Sequence, residues 1–423
     1  MAQIRDLKTG IKYKNTPIGK IPVDWEVVRL RNIVSKFYNG GTPDTKNKSY
    51  WDGNIPWITG ADFEGQKVKY IRRYITEEGV INSATNVVPK GNLLIVTRTG
   101  VGKLAIAPFD IAISQDITGV ILDSEKALTE FIYWYLEFNA SKLKLMIQGT
   151  SINGLLREDL ETISFPLPPH PEQKKIAEIL TTLDEAIEKT SQIIEKTKEA
   201  KKGLMQEVLA RGIGHKKFKK TEIGKIPEKW QLAPLRNVSI KGSIKDPRNF
   251  PDQKFRYVDV SSVSNEFYKV TDFQIVNGRN APSRARKEIK WKDIIYATVR
   301  PYLKRIAVVP KELDGEICST GFCVIKCNPK LSHYKYVFYI LQTDWITEKF
   351  TGLQRGSNYP AITDNYIYNQ IIPMPEIGEQ EQIAKILSSV DDEIEKESSH
   401  RDQLEALKKG LMQVLLTGKI RVL

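Results

Sequence analysis

The chain has 423 residues, 41% of them hydrophobic and 27% charged, which excludes wholesale disorder and leaves room for two or three domains with cores of their own. Its 64 Lys and Arg outnumber its 51 Asp and Glu, and the net charge of +13 makes a polyanion the leading partner, nucleic acid ahead of an anionic membrane surface. The apolar runs Leu93 to Val96 and Phe131 to Phe138 are far short of the roughly 20 residues of a membrane span, and three cysteines without an export signal predict a cytoplasmic protein with no disulfide scaffold.

In chain order, the first landmark is Ile18-Gly19-Lys20-Ile21-Pro22, followed by Trp25 and then Leu30-Arg31-Asn32. Val87-Val88, Leu93 to Val96 and Gly119 to Leu122 are short apolar runs bounded by Gly, Pro and Asn, and read as strands. Leu128 to Lys144 has helical spacing, and Phe165-Pro166-Leu167-Pro168-Pro169 closes this stretch on a Pro-rich strand end. A long helix follows. Pro171 suits its first turn and Glu172 its positive end, and apolar residues recur at 4-3 spacing through Ile176, Leu180, Leu183, Ile187, Ile194, Leu204 and Val208.

The same order then begins again. The Ile-Gly-Lys-Ile-Pro segment returns at Ile223 to Pro227 with Trp230 behind it, an offset of 205 from Trp25, and Leu235-Arg236-Asn237 keeps that offset. Asp293 to Tyr296 echoes Asn92 to Ile95, and Val324-Ile325 echoes Val120-Ile121. Glu172-Gln173 returns as Glu379-Gln380 and Lys202 to Gln206 as Lys409 to Gln413, both offset by 207. The second helix carries Ile383, Leu387, Val390, Ile394, Leu404, Leu411 and Leu415. One unit has been duplicated in tandem, its ends held alike and its middle free to diverge.

The expected fold is α+β: two mixed α/β globular domains at 1–168 and 213–375, long helices at 169–212 and 376–418, and a tail at 419–423. The apolar seams want partners, so the helices are expected to pack as an antiparallel coiled coil about a pseudo-twofold axis. Polar residues interrupt both seams (Thr190, Thr197, Lys201; Glu397, Arg401, Lys408), which predicts looser or functional packing there.

Enzyme signatures fail one by one. Gly100-Val101-Gly102-Lys103-Leu104 resembles a phosphate loop, but Thr97 stands in place of the first Gly and Leu104 in place of Ser or Thr, so a turn is expected. Cys318, Cys323 and Cys327 lack the spacing of a zinc knuckle and read as buried thiols. No metal site and no catalytic residue is assigned. A binder remains, with basic and polar residues concentrated in the divergent middles. The candidate DNA contacts of the first copy are Thr42, Lys46, Lys67, Arg72, Arg73, Arg98, Lys103, Thr150, Ser151 and Asn153. Those of the second are Arg284, Arg286, Arg300, Lys304, Arg305, Arg355, Ser357 and Asn358.

Gly40-Gly41-Thr42-Pro43 with Tyr50-Trp51-Asp52-Gly53-Asn54-Ile55-Pro56-Trp57 resembles the opening of a target-recognition domain in the DNA specificity subunit of type I restriction-modification systems. The Ile-Pro-x-x-Trp openings, Ser319-Thr320-Gly321-Phe322, the Pro-x-x-Glu-Gln start of the first helix and the Lys-Gly-Leu-Met-Gln helix ends are similar to that family too. The second copy lacks Gly-Gly-Thr-Pro and carries Lys241-Gly242-Ser243-Ile244 nearby. The resemblance implies that each domain reads half of a bipartite site on double-stranded DNA. The helices would set the spacing and dock two methyltransferase subunits, through Ile176, Leu180, Leu183, Ile187 and Leu204 on the first and Ile383, Leu387, Val390, Ile394 and Leu411 on the second. S-adenosylmethionine, ATP and Mg would belong to those subunits and to restriction/translocase subunits, this chain holding no cofactor and catalysing nothing. A stand-alone DNA-binding regulator, or a nuclease or methyltransferase with an unrecognised site, are the alternatives.

Overall fold

The structure is a computed structural model and describes residues 12–64, 67–68, 70–146, 154–240, 242–354 and 360–422. By contact it divides into two units, Met1–Ser191 with His400–Leu423, and Gln192–Ser399. The division cuts both long helices, His170–Arg211 and Ile377–Leu415. Each globular part therefore carries one half of either helix, a partition different from the linear segments of the sequence.

In the first unit Leu93–Val96 lies inside an antiparallel sheet of order Leu104–Ile106, Leu93–Val96, Ile117–Leu122, Val34–Asn39. Its run of four apolar residues lacks the polar alternation of a half-exposed strand because both faces are covered. Leu93 and Ile95 join a core with Trp25, Phe131 and Leu180, while Leu94 and Val96 join one with Ile58, Ile111 and Ile113. The second sheet has the order Arg73–Ile75, Trp51–Ile58, Ile111–Ile113, Asn86–Val88, with Ile111–Ile113 parallel to Trp51–Ile58. The helix expected over 128–144 is two helices, Thr129–Phe138 and Ala140–Leu145. Asn139 lies between them, and both its backbone amide (3.2 Å) and its side-chain amide (2.9 Å) donate to the Tyr135 carbonyl.

The second unit repeats both strand orders. One sheet runs Ser239–Ile240, Phe322–Cys327, Ile294–Ala297, Ile306–Val308, and the other Gln274–Asn277, Lys254–Val258, Ile317–Ser319, Ala285–Glu288, with one parallel pair again between Lys254–Val258 and Ile317–Ser319. Ile294 and Tyr296 face one core and Ile295 and Ala297 another, repeating the two-sided burial of Leu93–Val96. The duplication is a duplication of topology even where the sequences have drifted.

The recurring ends are now explained. The Trp25 indole donates to Glu172 Oε2 at 3.0 Å, and the Trp230 indole donates to Glu379 Oε2 at 2.9 Å. Gln173 accepts from the Leu128 amide at 2.8 Å and donates to the Pro168 carbonyl at 3.0 Å; Gln380 accepts from His333 at 2.8 Å and donates to Pro375 at 2.9 Å. Glu172 and Gln380 are fully buried, so each Glu-Gln pair satisfies backbone and indole groups that would otherwise lie unpaired in a core. A glycine with positive φ follows each long helix, Gly212 (φ 66) and Gly418 (φ 68). A Cβ at Gly212 would lie 2.6 Å from the Trp230 ring, and one at Gly418 would lie 2.4 Å from Pro22, so glycine is needed for conformation and for space at both places.

Within each unit the two helix halves run antiparallel. In the first, Asp184 pairs with Lys408 (2.5 Å) and Glu172 with Arg421 (2.7 Å), the second number of each pair rising as the first falls. In the second, Lys201 pairs with Asp391 (2.5 Å) and His215 with Glu379 (2.8 Å) in the same sense. Of the seam residues, Ile176, Leu180, Ile383 and Leu387 are wholly buried, whereas Leu183, Ile187, Leu204, Val390, Ile394 and Leu411 are half-buried. The buried ends belong to the globular cores, and two of the polar interruptions, Lys201 and Lys408, are ion-paired across the seam rather than loosely packed. Among the described residues no helix is long and apolar enough to cross a membrane.

Candidate nucleic-acid interface

Loops converge at one end of the sheets in each unit, and backbone bonds fix them there. In the first unit Thr97 donates to the Asp116 carbonyl (2.7 Å), Leu155 to Thr97 (2.6 Å) and Gly41 to Ile113 (2.9 Å). Gly40-Gly41 is wedged between neighbouring loops: a Cβ on Gly40 would fall 1.8 Å from the Ser114 carbonyl, and one on Gly41 2.4 Å from Ala84. The glycines of Gly-Gly-Thr-Pro are thus required for close approach. Trp57 donates to the Gly41 carbonyl at 3.0 Å and Trp51 to Asp44 at 3.1 Å, which holds the rest of that loop. The second unit uses the same bonds: Thr298 to Gly321 (2.8 Å) and Ile362 to Thr298 (2.9 Å).

Thr42, Lys46, Arg98 and Arg284 stand exposed at these loops, Arg98 directly after Thr97 and Arg284 with its carbonyl held by the Thr320 amide at 2.8 Å. Exposed Arg73 stacks its guanidinium over Trp51 and Trp57 at 5.8 and 5.9 Å. Arg300 is also exposed, at the start of a turn in which it (φ 50) and Lys304 (φ 49) both adopt left-handed backbone. Lys304 takes that conformation with its ammonium held by the Gln342 carbonyl (3.2 Å) and Asp344 (2.6 Å).

Other candidates are engaged by partners within the chain. Lys103 donates to the carbonyls of Gly60 (3.2 Å) and Phe63 (3.3 Å), and Arg305 does the equivalent work on Val260, Ser261 and Val263 (2.6 Å to the last). Arg72 is ion-paired with buried Asp62. Burial alone would raise that carboxyl, but the bonds from Arg72 and Thr59 hold it below the usual carboxylate range. Arg286 donates to the Ala285 carbonyl at 2.7 Å and lies 3.3 Å from Asp246, whose pKa Arg248, by its hydrogen bond, brings down to about 2. Lys67 pairs with Glu188 of the long helix, and Lys269, on the matching hairpin of the second unit, pairs with Glu395 at 2.7 Å. Thr150, Ser151, Asn153, Arg355, Ser357 and Asn358 lie outside the described residues. Two exposed polar residues at the loop end, Gln115 and Thr320, were not among the candidate contacts, although each stands just after a strand of one repeat and Thr320 lies in the Ser319-Thr320-Gly321-Phe322 motif.

Cys318 and Cys323 are fully buried, and burial pushes both thiols well above their ordinary range and Cys327 to about 12. Among the described residues no group of three or more His, Cys, Asp or Glu is placed to hold a metal ion.

The family model for the type I restriction modification DNA specificity domain matches the chain twice, over residues 22–199 and 228–406. The chain is 29% identical to the type I restriction enzyme MjaVIII specificity subunit of Methanocaldococcus jannaschii, over 95% of this chain and 94% of that one. It is 30% identical to the putative MjaX specificity subunit of the same organism, over 97% of each chain. Among solved structures, the type I restriction-modification S subunit from M. genitalium shares the fold across 97% of both chains with a TM-score of 0.60, at 13% identity. The doubled match coincides with the doubled sheets and helix halves, and the chain belongs to the family of type I restriction-modification DNA specificity proteins.

Proposed function

We propose that the chain is the sequence-reading subunit of a type I restriction-modification enzyme, each unit reading one half of a bipartite site on double-stranded DNA. The carrying observation is a constant frame with variable tips: both units share the strand orders and the Trp-to-Glu anchor, yet Gly40-Gly41-Thr42-Pro43 has no counterpart in the second. Like frames fit two copies of one partner, and unlike tips fit two different DNA words. The partners are two methyltransferase subunits, docked along the helix pairs and bringing S-adenosylmethionine, and restriction/translocase subunits that bring ATP and Mg. The chain itself positions DNA for their chemistry and catalyses none of it.

Exposed Arg and Lys at the tips neutralise phosphates, so affinity should fall steeply with salt, by about 0.9 log unit per log unit of salt for each phosphate contacted. Titrating the chain, co-purified with its methyltransferase partner, against duplex DNA at several salt concentrations measures this. A flat profile would refute DNA reading.

A further inference from the structure

Gln115 and Thr320 occupy one structural position twice. Each follows a buried serine, Ser114 or Ser319, at the end of the strand that runs parallel to its neighbour. Each is followed by a residue whose carbonyl is held by a threonine amide: Asp116 by Thr97 at 2.7 Å, and Gly321 by Thr298 at 2.8 Å. With both flanks fixed, the intervening side chain has one way out, and in both units it is exposed at the loop end. The frame is the same; the side chain is an amide in one unit and a hydroxyl in the other.

Gln115 is also oriented. The Thr42 hydroxyl donates to its Oε1, and Thr42 is itself set by the wedged glycines before it. That bond uses one lone pair of the amide oxygen and fixes where the side chain stands in the loop. The second lone pair and the amide N–H groups remain for a ligand, an acceptor and a donor side by side. Adenine presents the complementary pair in the major groove, N6–H as donor and N7 as acceptor. The second unit builds no such fork: Ser243, on its early segment, gives its hydroxyl to Glu288, and Thr320 has no amide to orient.

We propose that Gln115 reads an adenine in the half-site of the first unit, with Thr42 as the residue that positions it. Position 320 is the corresponding base-contact position of the second unit and specifies a different base. This rests on the DNA-reading function above and assigns a residue and a base to it.

The test is selection from a duplex library randomised over both half-sites, using the full chain co-purified with its methyltransferase partner. The unaltered chain should select a bipartite word; if it selects none, the specificity function itself falls, and this assignment with it. Given such a word, Gln115→Ala should relax preference at a single adenine of one half-site by roughly tenfold to a hundredfold, leaving the other half-site untouched. Gln115→Glu, which keeps the shape and loses the donor, should disfavour adenine at that same position. Thr42→Val should weaken the same preference and Thr42→Ser restore it, which a merely structural role for Thr42 would not do. A uniform loss of binding in Gln115→Ala with both words unchanged would place the residue on the phosphate backbone and overturn the assignment.

Discussion

Arg421 is held in a double fork. It donates from Nε and Nη2 to both oxygens of Glu172, each at 2.7 Å, and from Nη1 and Nη2 to Asp24 at 2.8 and 2.7 Å. Those bonds raise its own pKa further and pull the Asp24 carboxyl below its ordinary value. Glu172 is fully buried, so Arg421→Ala leaves a carboxylate in the core that keeps the Trp25 indole as a donor but loses its cation. Breaking one side of a buried pair costs about 3–5 kcal/mol. Denaturant unfolding of the first unit should show a loss of that order, and Glu172→Gln in the same background should recover part of it by removing the stranded charge. At this scale the sequence is legible as residue type and opaque as destination. Trp25, Glu172 and Gln173 stand out because Trp230, Glu379 and Gln380 repeat them, but nothing along the chain says that indole meets carboxylate across 147 residues. Lys103 and Arg305 look like phosphate ligands from composition, whereas the folded loops turn their charges onto carbonyls.

The long helices explain why a polar residue is tolerated in an apolar seam. Lys408 reaches Asp184 at 2.5 Å with its ammonium 4.7 Å from the Trp134 ring centre, and Lys201 reaches Asp391 at 2.5 Å beside Tyr339 at 5.4 Å. Such a pair penalises any other register, in which a charge would meet an apolar side chain. Lys408→Ala should destabilise the first unit by about 2–3 kcal/mol through unpaired Asp184, and Lys408→Met with Asp184→Leu should restore most of the loss. The double-mutant cycle reads the coupling directly, and strict additivity would show that the pair contributes nothing. Helices and buried strands were the most legible elements, since periodicity and run length are local properties. The break at Asn139 was not, because the apolar spacing continues across it.

The scale of the whole molecule is set by continuity: His170–Arg211 and Ile377–Leu415 each belong partly to one unit and partly to the other. If these helices are the ruler between half-sites, inserting one heptad after Ser191 and another after Ser399 keeps both seams in phase and adds about 10 Å to each. Base pairs stack about 3.4 Å apart, so the preferred spacer should lengthen by up to roughly three base pairs with both words unchanged. Sequencing the sites methylated by the variant enzyme checks this, and an active variant with an unaltered spacer would remove the helices from that role. The interleaving also orders events in time. Residues 192–399 form one unbroken stretch that can fold as soon as it has been synthesised, whereas the first unit needs residues 400–423, made long after its sheets. The domain translated first is therefore completed second. Until Arg421 arrives, 249 residues after Glu172, the buried carboxylate of that unit waits without its cation. A chain released between residues 400 and 420 would hold a finished second reader and an unfinished first one.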